Sequence, residues 1–327
     1  MSSVLAPPPA SESPLSAKWT GVCCPACHTT LRDDDGALCC DNDDCGLTFP
    51  VVHGVPILID ESASVFDVES FVSSQPTFFE RCGVWRTRIS DLLPDTENNL
   101  AAERVFRDLR QRLAERTGRA KVLVLGGGVL GAGLSQLVDA PGIELIETDV
   151  AIEPRTQLVC DAHQIPFQDE TFDAVIVQAV LEHVVDPFQC AAEIHRVLGP
   201  GGFVYADTPF MQQVHAGAYD FTRFTRLGHR RLFRRFEEVE SGITVGPGSA
   251  LAWSLRYFLL SFCRTQRARR VVGAFARLAF FWLKYWDRLL ARRPAACDAA
   301  SAFYFLGRKS NRTFSDRELI DSYVGGF

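Results

Sequence analysis

No stretch of this 327-residue chain is both long and apolar enough to read as a membrane span. The apolar run near 250–263 is too short, and the one near 271–290 carries Arg277, Lys284 and Asp287. The opening MSSVLAPPPASESP lacks the basic start and apolar core of a secretory signal, and reads as a disordered proline- and serine-rich tail over 1–18. Without export, the eleven cysteines are expected to be reduced, in a cytoplasmic protein. A large charge of one sign is also absent. The 34 Lys+Arg and 40 Asp+Glu leave −6 and a pI near 5.7, which speaks against nucleic acid as a partner.

That balance hides a local bias. From Arg223 to Arg293 there are 16 basic residues and 4 acidic ones, a net of about +12. Such a stretch suits phosphates or anionic lipid, or else it is a solvated helical surface. With 47% apolar residues, the rest of the chain can bury a large core.

The cysteines are clustered, six of them between Cys23 and Cys45. Cys24-x2-Cys27 and Cys40-x4-Cys45 form two close pairs separated by a short hairpin, the spacing of a tetrahedral thiolate zinc site. Four sulfur ligands leave no open position, so such a zinc would be structural. Cys23 and Cys39 adjoin the pairs and compete as ligands, and disulfides are the alternative. Together with the downstream LTFPVVHGVPILI, residues 19–60 resemble the Trm112-like zinc-ribbon family. The resemblance implies a docking or stabilising role. A segment of this size builds little core alone, and a metal staple is the usual remedy.

Residues 61–118 form a connector. Leu100 or Ala101, Val105, Leu109 and Leu113 recur every four residues, which predicts one apolar stripe on a helix ended by Gly118 and packed on the next domain as a lid or brace.

Next, the apolar strand VLVL runs into Gly126-x-Gly128-x-x-Gly131, a turn that lets a ligand lie against the backbone. A helix is expected from Leu134, its first amides facing the turn. The second strand, IELIETDV, ends in Asp149, where a carboxylate can accept both ribose hydroxyls of an adenosine ligand. Glu147 is a competing candidate one step deeper. These features fit NAD and S-adenosylmethionine (SAM) equally.

The segments CDAHQIPF, FDAVIVQAVLEHV and EIHRVLGPGG, in that order, resemble the class I SAM-dependent methyltransferases of the UbiE-like, methyltransferase type 11 group. The resemblance spans roughly 120–208. It implies a Rossmann-like α/β fold: a seven-stranded, mostly parallel sheet with helices on both faces. It also implies SAM as methyl donor, held by Gly126, Gly128, Gly131, Asp149, Asp161, Ala162 and Gln178. Asp161 would accept from the adenine amino group, and Ala162 would leave room for the base. Asp186 reads as a helix N-cap, with Pro187 at the first helical position and Gln189 at the capping-box position. Glu182 and His183 read as groups that pin the loop after the fourth strand. Two features depart from the family pattern. Val124 and Leu125 stand where many members carry an acid, and only about a dozen residues, interrupted by Pro154, separate Asp149 from Asp161. The usual helix there is therefore expected to be missing.

After the fifth strand, TPFMQQVHAGAYDFTRFTRLGHRRLF is the expected acceptor segment. His215 is a candidate base with Tyr219 beside it, and Arg223 and Arg226 are candidates for an anionic group. Two apolar, aromatic helices joined by the basic RTQRARR form a helical insertion at about 249–293, within an excursion over 241–300. They either pack on the core, make a homodimer contact, or lie on an anionic membrane surface through 250–290, at the inner membrane face. SAFYFLGRKS completes the sheet, the methyltransferase domain covers 119–310, and a tail covers 311–327. The function expected is methyl transfer to a small-molecule or lipid- or glycan-linked acceptor, at oxygen. An NAD-dependent oxidoreductase and a non-catalytic methyltransferase-like scaffold are the competing readings.

Overall fold

The computed structural model describes residues 20–73 and 93–326, so the expected tail over 1–18 and part of the connector lie outside the described residues. Four short strands, β1 (Leu31–Asp34), β2 (Ala37–Cys40), β3 (Thr48–Val52) and β4 (Val55–Leu58), form antiparallel hairpins at the N-terminal end. A short helix α1 (Val68–Val72) and a longer α2 (Ala102–Ala114) lead into the main sheet. There β5 (Ala120–Leu125), β6 (Ile143–Asp149), β7 (Leu158–Cys160), β8 (Phe172–Gln178), α3 (Pro187–Val197) and β9 (Leu198–Pro209) succeed one another in chain order. Then come α4 (Arg226–Leu232), β10 (Phe236–Val245), α5 (Pro247–Leu260), α6 (Gln266–Phe280), α7 (Asp287–Leu290), β11 (Ala302–Lys309) and α8 (Asp316–Asp321).

The sheet has eleven strands where seven were expected, and its main part runs β7-β6-β5-β8-β9-β11-β10, with β5 to β9 parallel and β11 antiparallel to both its neighbours. It does not stop at β7. Strand β4 pairs parallel with β7, Ile57 opposite Val159 and Leu58 opposite Cys160, so the cysteine-rich hairpins extend one continuous sheet. Packing agrees with the pairing: Leu38, Phe49 and Leu58 share one apolar core with Ile165, Phe167 and Phe172. The edge strand that would otherwise expose its backbone is thereby covered.

Alternation along β5 sends Leu123 and Leu125 to one face and Val122 and Val124 to the other. The first face is closed by Cys190, Ala191, Ile194 and Val197 of α3 and by Leu232 of α4. Val105, Phe106, Leu109 and Leu113 of α2 pack on the second, with Leu134 and Leu137. This corrects one expectation. After the glycine turn stands only a 3-10 turn, Leu134–Gln136, and the brace helix upstream covers the face a full helix would have taken. That helix ends at Ala114, before Gly118, which takes φ +90 in the turn beyond. Between β6 and β7 there is no helix, as the short spacing requires.

The excursion expected over 241–300 begins later, because residues 241–245 belong to β10, and its first helix starts at Pro247. Its ends are tied together. The fully buried Asp287 carboxylate accepts from the Gly248 and Ser249 amides and from the Ser249 hydroxyl, capping α5 with a residue from the far end of the excursion. The C-terminal segment is also folded, since Ser315 and Glu318 form a reciprocal capping box on α8, and Leu319 is buried.

Candidate active site

Past the C-terminal ends of β5 to β8 lies a cavity of about 420 Å³. Strand β5 delivers Gly126 to its wall at φ +72, where a side chain would meet Val180 Cγ2 at 2.4 Å. The other two glycines serve the turn itself and do not line the cavity. A Cβ at Gly128 would strike Glu153 and the Asp149 carboxylate, and one at Gly131 would strike Gln178 Oε1 at 2.3 Å. Gln178 does line the cavity, and its amide donates to Ala132 O at 3.1 Å.

Asp149 and Asp161 stand in the wall together with Ala162. The Asp149 oxygens accept from the Gly128 amide (2.9 Å) and the Val150 amide (2.7 Å), while burial raises its carboxyl above the usual range despite these bonds. Glu147 is removed from the competition. Arg155 grips it with two hydrogen bonds of 2.7 Å, away from the cavity. Burial also acts to raise Asp161, but hydrogen bonds from His163 and Ser64 outweigh it and hold the carboxyl below its usual range. His163 donates Nδ1–H to Asp161 Oδ1 at 2.6 Å and accepts the Asp186 amide at Nε2, which fixes its tautomer. Asp186 caps α3 as expected. Gln189, however, turns to His163 O, so the reciprocal half of the capping box is not made.

His183, His215 and Ala216 also line the cavity, as do Val65 and Phe66. Tyr219 is not in the lining; its ring stacks on Phe66 at 5.8 Å between centroids. Arg223 and Arg226 do not reach the cavity either. Arg223 pairs with Asp220 and donates to the carbonyls of Gln212, Gln213 and Thr222, and Arg226 is engaged by Ser241. They hold the segment's shape. Burial lowers both His183 and His215, leaving neutral rings near pH 7. Beneath them, Glu182 is fully buried and burial pushes its carboxyl up to about 8. Ser64, Val65 and Phe66 carry no motif, and only the pairing of β4 with β7 brings them here.

Of the six clustered cysteines, the sulfurs of Cys24, Cys27, Cys40 and Cys45 lie within 4.8 Å of one another. Cys24 and Cys45 are 3.7 Å apart, and Cys27 and Cys40 3.4 Å, close to the roughly 3.8 Å edge of a tetrahedron with zinc–sulfur bonds of about 2.3 Å. None is paired as a disulfide. Cys39 faces Thr48, and Cys23 is buried outside the cluster.

On the insertion, the apolar residues mostly face outward. Helix α6 buries only Gly273 and Ala276, whereas Phe258, Phe262, Val271, Phe275, Trp282 and Trp286 are exposed. These side chains do not pack on the core. Among the described residues, no helix is long and apolar enough to cross a membrane.

The sheet, the glycine turn and the strand-end carboxylates have the form of a class I, SAM-dependent methyltransferase domain, and residues 136–206 match the family described as Methyltransferase domain. The chain carries a domain of that type. Over 44 residues it is 50% identical to the ubiquinone/menaquinone biosynthesis C-methyltransferase UbiE of Desulfotalea psychrophila, covering 14% of this chain and 18% of that protein. Over 168 residues it is 29% identical to the ubiquinone biosynthesis O-methyltransferase of Pseudomonas paraeruginosa, covering 41% of this chain and 72% of that one. Among solved structures, a putative sarcosine dimethylglycine methyltransferase from Galdieria sulphuraria aligns at 16% identity and a TM-score of 0.44, over 65% of this chain and 86% of that one.

Proposed function

We propose that the protein transfers a methyl group from SAM to an oxygen of a small-molecule or lipid-linked acceptor. The observation that carries this reading is one cavity lined both by the strand-end carboxylates and by two histidines. Gly126, Asp149, Asp161, Ala162 and Gln178 would hold the donor. Asp149 accepts from ribose hydroxyls, and Asp161 accepts from the adenine amino group with the lone pairs that Ser64 and His163 leave over. Bound SAM supplies a methyl group on a cationic sulfur, already activated for transfer. The protein's main contribution is therefore alignment of the acceptor oxygen with that methyl. His215, in the same lining, is a neutral imidazole that can take the acceptor's proton. Tyr219 acts through Phe66, as a positioning residue.

The relative named as an O-methyltransferase, aligned over 72% of its length, favours oxygen as the accepting atom. A zinc ion bound by the four clustered thiolates would hold the hairpins in shape at the sheet edge, with no open position for catalysis. The exposed aromatics of the insertion, set among its arginines, favour docking on an anionic membrane surface and so a lipophilic acceptor.

Isothermal titration separates this reading from its rivals. S-adenosylhomocysteine is expected to bind and NAD is not. An absence of adenosyl ligand binding at millimolar concentration would overturn the proposal. The acceptor itself can be found by incubating cell extracts with enzyme and isotopically labelled SAM and identifying by mass spectrometry what gains the methyl.

A further inference from the structure

Glu182 is 1% exposed, and among the described residues neither of its carboxylate oxygens has a hydrogen-bond partner. A buried carboxylate without partners has given up its hydration and received nothing in exchange. A proton would remove the charge but leave its own O–H unbonded. Arg223 is no remedy, since it is held by Asp220 and three backbone carbonyls.

Two imidazoles face the same carboxylate. His183 must donate its Nδ1 proton to Tyr219 O at 2.8 Å, so Nε2 keeps its lone pair, 3.7 Å from Glu182 Oε1. His215 lies with Nδ1 3.3 Å from Gln213 O, and its Nε2 is 3.9 Å from Glu182 Oε1. The Asp220 carboxylate, which accepts the His215 amide at 2.8 Å, fixes this residue's backbone. Three electron-pair donors thus converge from two segments, the loop after β8 and the loop after β9, all within 4.8 Å of one another. An imidazole whose far N–H is tied to a carbonyl is in the orientation that metal-binding histidines adopt.

We propose that Glu182, His183 and His215 bind a divalent transition-metal ion, with its open coordination positions facing the cavity and taking an oxygen of the acceptor. Ligands about 2.1 Å from an ion stand roughly 3–3.5 Å apart, so the glutamate–histidine pairs need only a small contraction. Two imidazoles and one carboxylate suit zinc, iron, cobalt, nickel or manganese better than calcium, which takes an all-oxygen shell. Both histidines line the cavity, so the uncovered side of the ion is the side where an acceptor enters. An acceptor hydroxyl bound there loses its proton to solvent more readily, and His215 then serves as a ligand in place of a base. That last role rests on the methyltransferase reading, whereas the ion site does not.

The test uses the full-length protein with its cysteine site already loaded with zinc. Titration with Mn2+, monitored by the electron paramagnetic resonance signal of the free ion, is expected to show one Mn2+ bound per chain. The dissociation constant should rise at least tenfold in both Glu182→Gln and His215→Ala, with circular dichroism melts checking the fold of each. Co2+ gives a second readout that needs no variant: visible bands without the intense thiolate charge-transfer absorption mark nitrogen and oxygen ligands. Failure of the wild type to bind either ion beyond the cysteine site overturns the proposal, as does equal binding by folded variants. Titration with S-adenosylhomocysteine is run alongside. Its binding without metal binding sinks the ion alone, and metal binding without it sinks the methyltransferase reading alone.

Discussion

The Ser64 hydroxyl donates to Asp161 Oδ2 at 2.6 Å, across 97 residues of chain. One partner comes just after the cysteine-rich hairpins and the other ends β7, so this bond ties the N-terminal extension to the proposed adenine end of the cavity. The edge pairing of β4 with β7 makes it possible, because it sets the chain leaving β4 beside the end of β7. Ser64→Ala should weaken S-adenosylhomocysteine binding about three- to tenfold, the equivalent of one hydrogen bond to a charged group, with little change in melting temperature. Calorimetric titration checks it. Unchanged affinity would mean that the extension touches the cavity without supporting it.

Asp149 calls for a larger effect. Its carboxylate latches the glycine turn through the Gly128 amide and is also the proposed acceptor for the ribose hydroxyls. Asp149→Ala should cost at least tenfold in S-adenosylhomocysteine affinity, or about 1.4 kcal/mol. Asp149→Asn should fall between the two, since the amide keeps one acceptor oxygen. If Asp149→Ala binds as well as the wild type, the ribose is held elsewhere.

These two residues differ in how far the sequence reveals them. Asp149 is legible because a strand pattern ends on it at a fixed distance from a glycine turn. The same local logic makes the parallel strands, the α3 cap at Asp186 and the cysteine pairs readable, since each depends on neighbours in sequence. Ser64 and Phe66 are invisible because their role depends on a strand pairing that bridges some 100 residues. The replacement of the helix after Gly131 by α2 is hidden for the same reason. The stripe Val105, Leu109 and Leu113 announces a buried face, but which sheet face it covers depends on the shape of the chain beyond the glycines. Arg223 shows the opposite failure. Its residue type suggests anion binding, whereas local hydrogen bonds absorb the whole guanidinium.

The four-cysteine cluster should hold about one zinc per chain by elemental analysis, and Cys27→Ser should lose most of it. Because Leu38, Phe49 and Leu58 share a core with Phe167 and Phe172, losing the metal should lower the melting temperature of the whole chain in one transition. A variant whose methyltransferase domain melts at the wild-type temperature would show that the hairpins are held on weakly.

His229 gives a pH dependence whose sign can be worked out. It is buried among Phe224, Phe233 and Phe305, its Nε2 has no partner among the described residues, and burial pulls its pKa from 6.5 to about 3. Below about pH 6.5 the unfolded chain binds a proton that the folded chain refuses, so this residue's contribution to stability is lost as pH falls from 6.5 towards 3. At pH 5 the cost is about 2 kcal/mol relative to pH 7.5. His229→Phe removes that titration. Urea unfolding should show the variant gaining about 2 kcal/mol on the wild type between pH 7.5 and pH 5. An equal difference at both pH values would mean that His229 is protonated in the folded state or reached by water.

The insertion makes the most exposed claim on the protein's surroundings. Phe262 and Val271 are 72% and 70% exposed, and Trp282 and Trp286 stand about half exposed beside Lys284 and Arg288. Scattered exposed apolar side chains need no explanation, but these gather on the two helices and the turns that follow them. Aromatic rings flanked by basic residues suit the boundary of a bilayer, where rings enter the acyl region and cations meet anionic headgroups. The protein should therefore co-sediment with vesicles containing phosphatidylserine, and less so as salt is raised. A double Trp282→Ala, Trp286→Ala variant should bind several-fold more weakly, and the wild-type tryptophan emission should shift to the blue on binding. If vesicles leave the protein in the supernatant at low salt while its mass in solution doubles, the same face is covering itself in a homodimer, and the lipid surface is excluded as its partner.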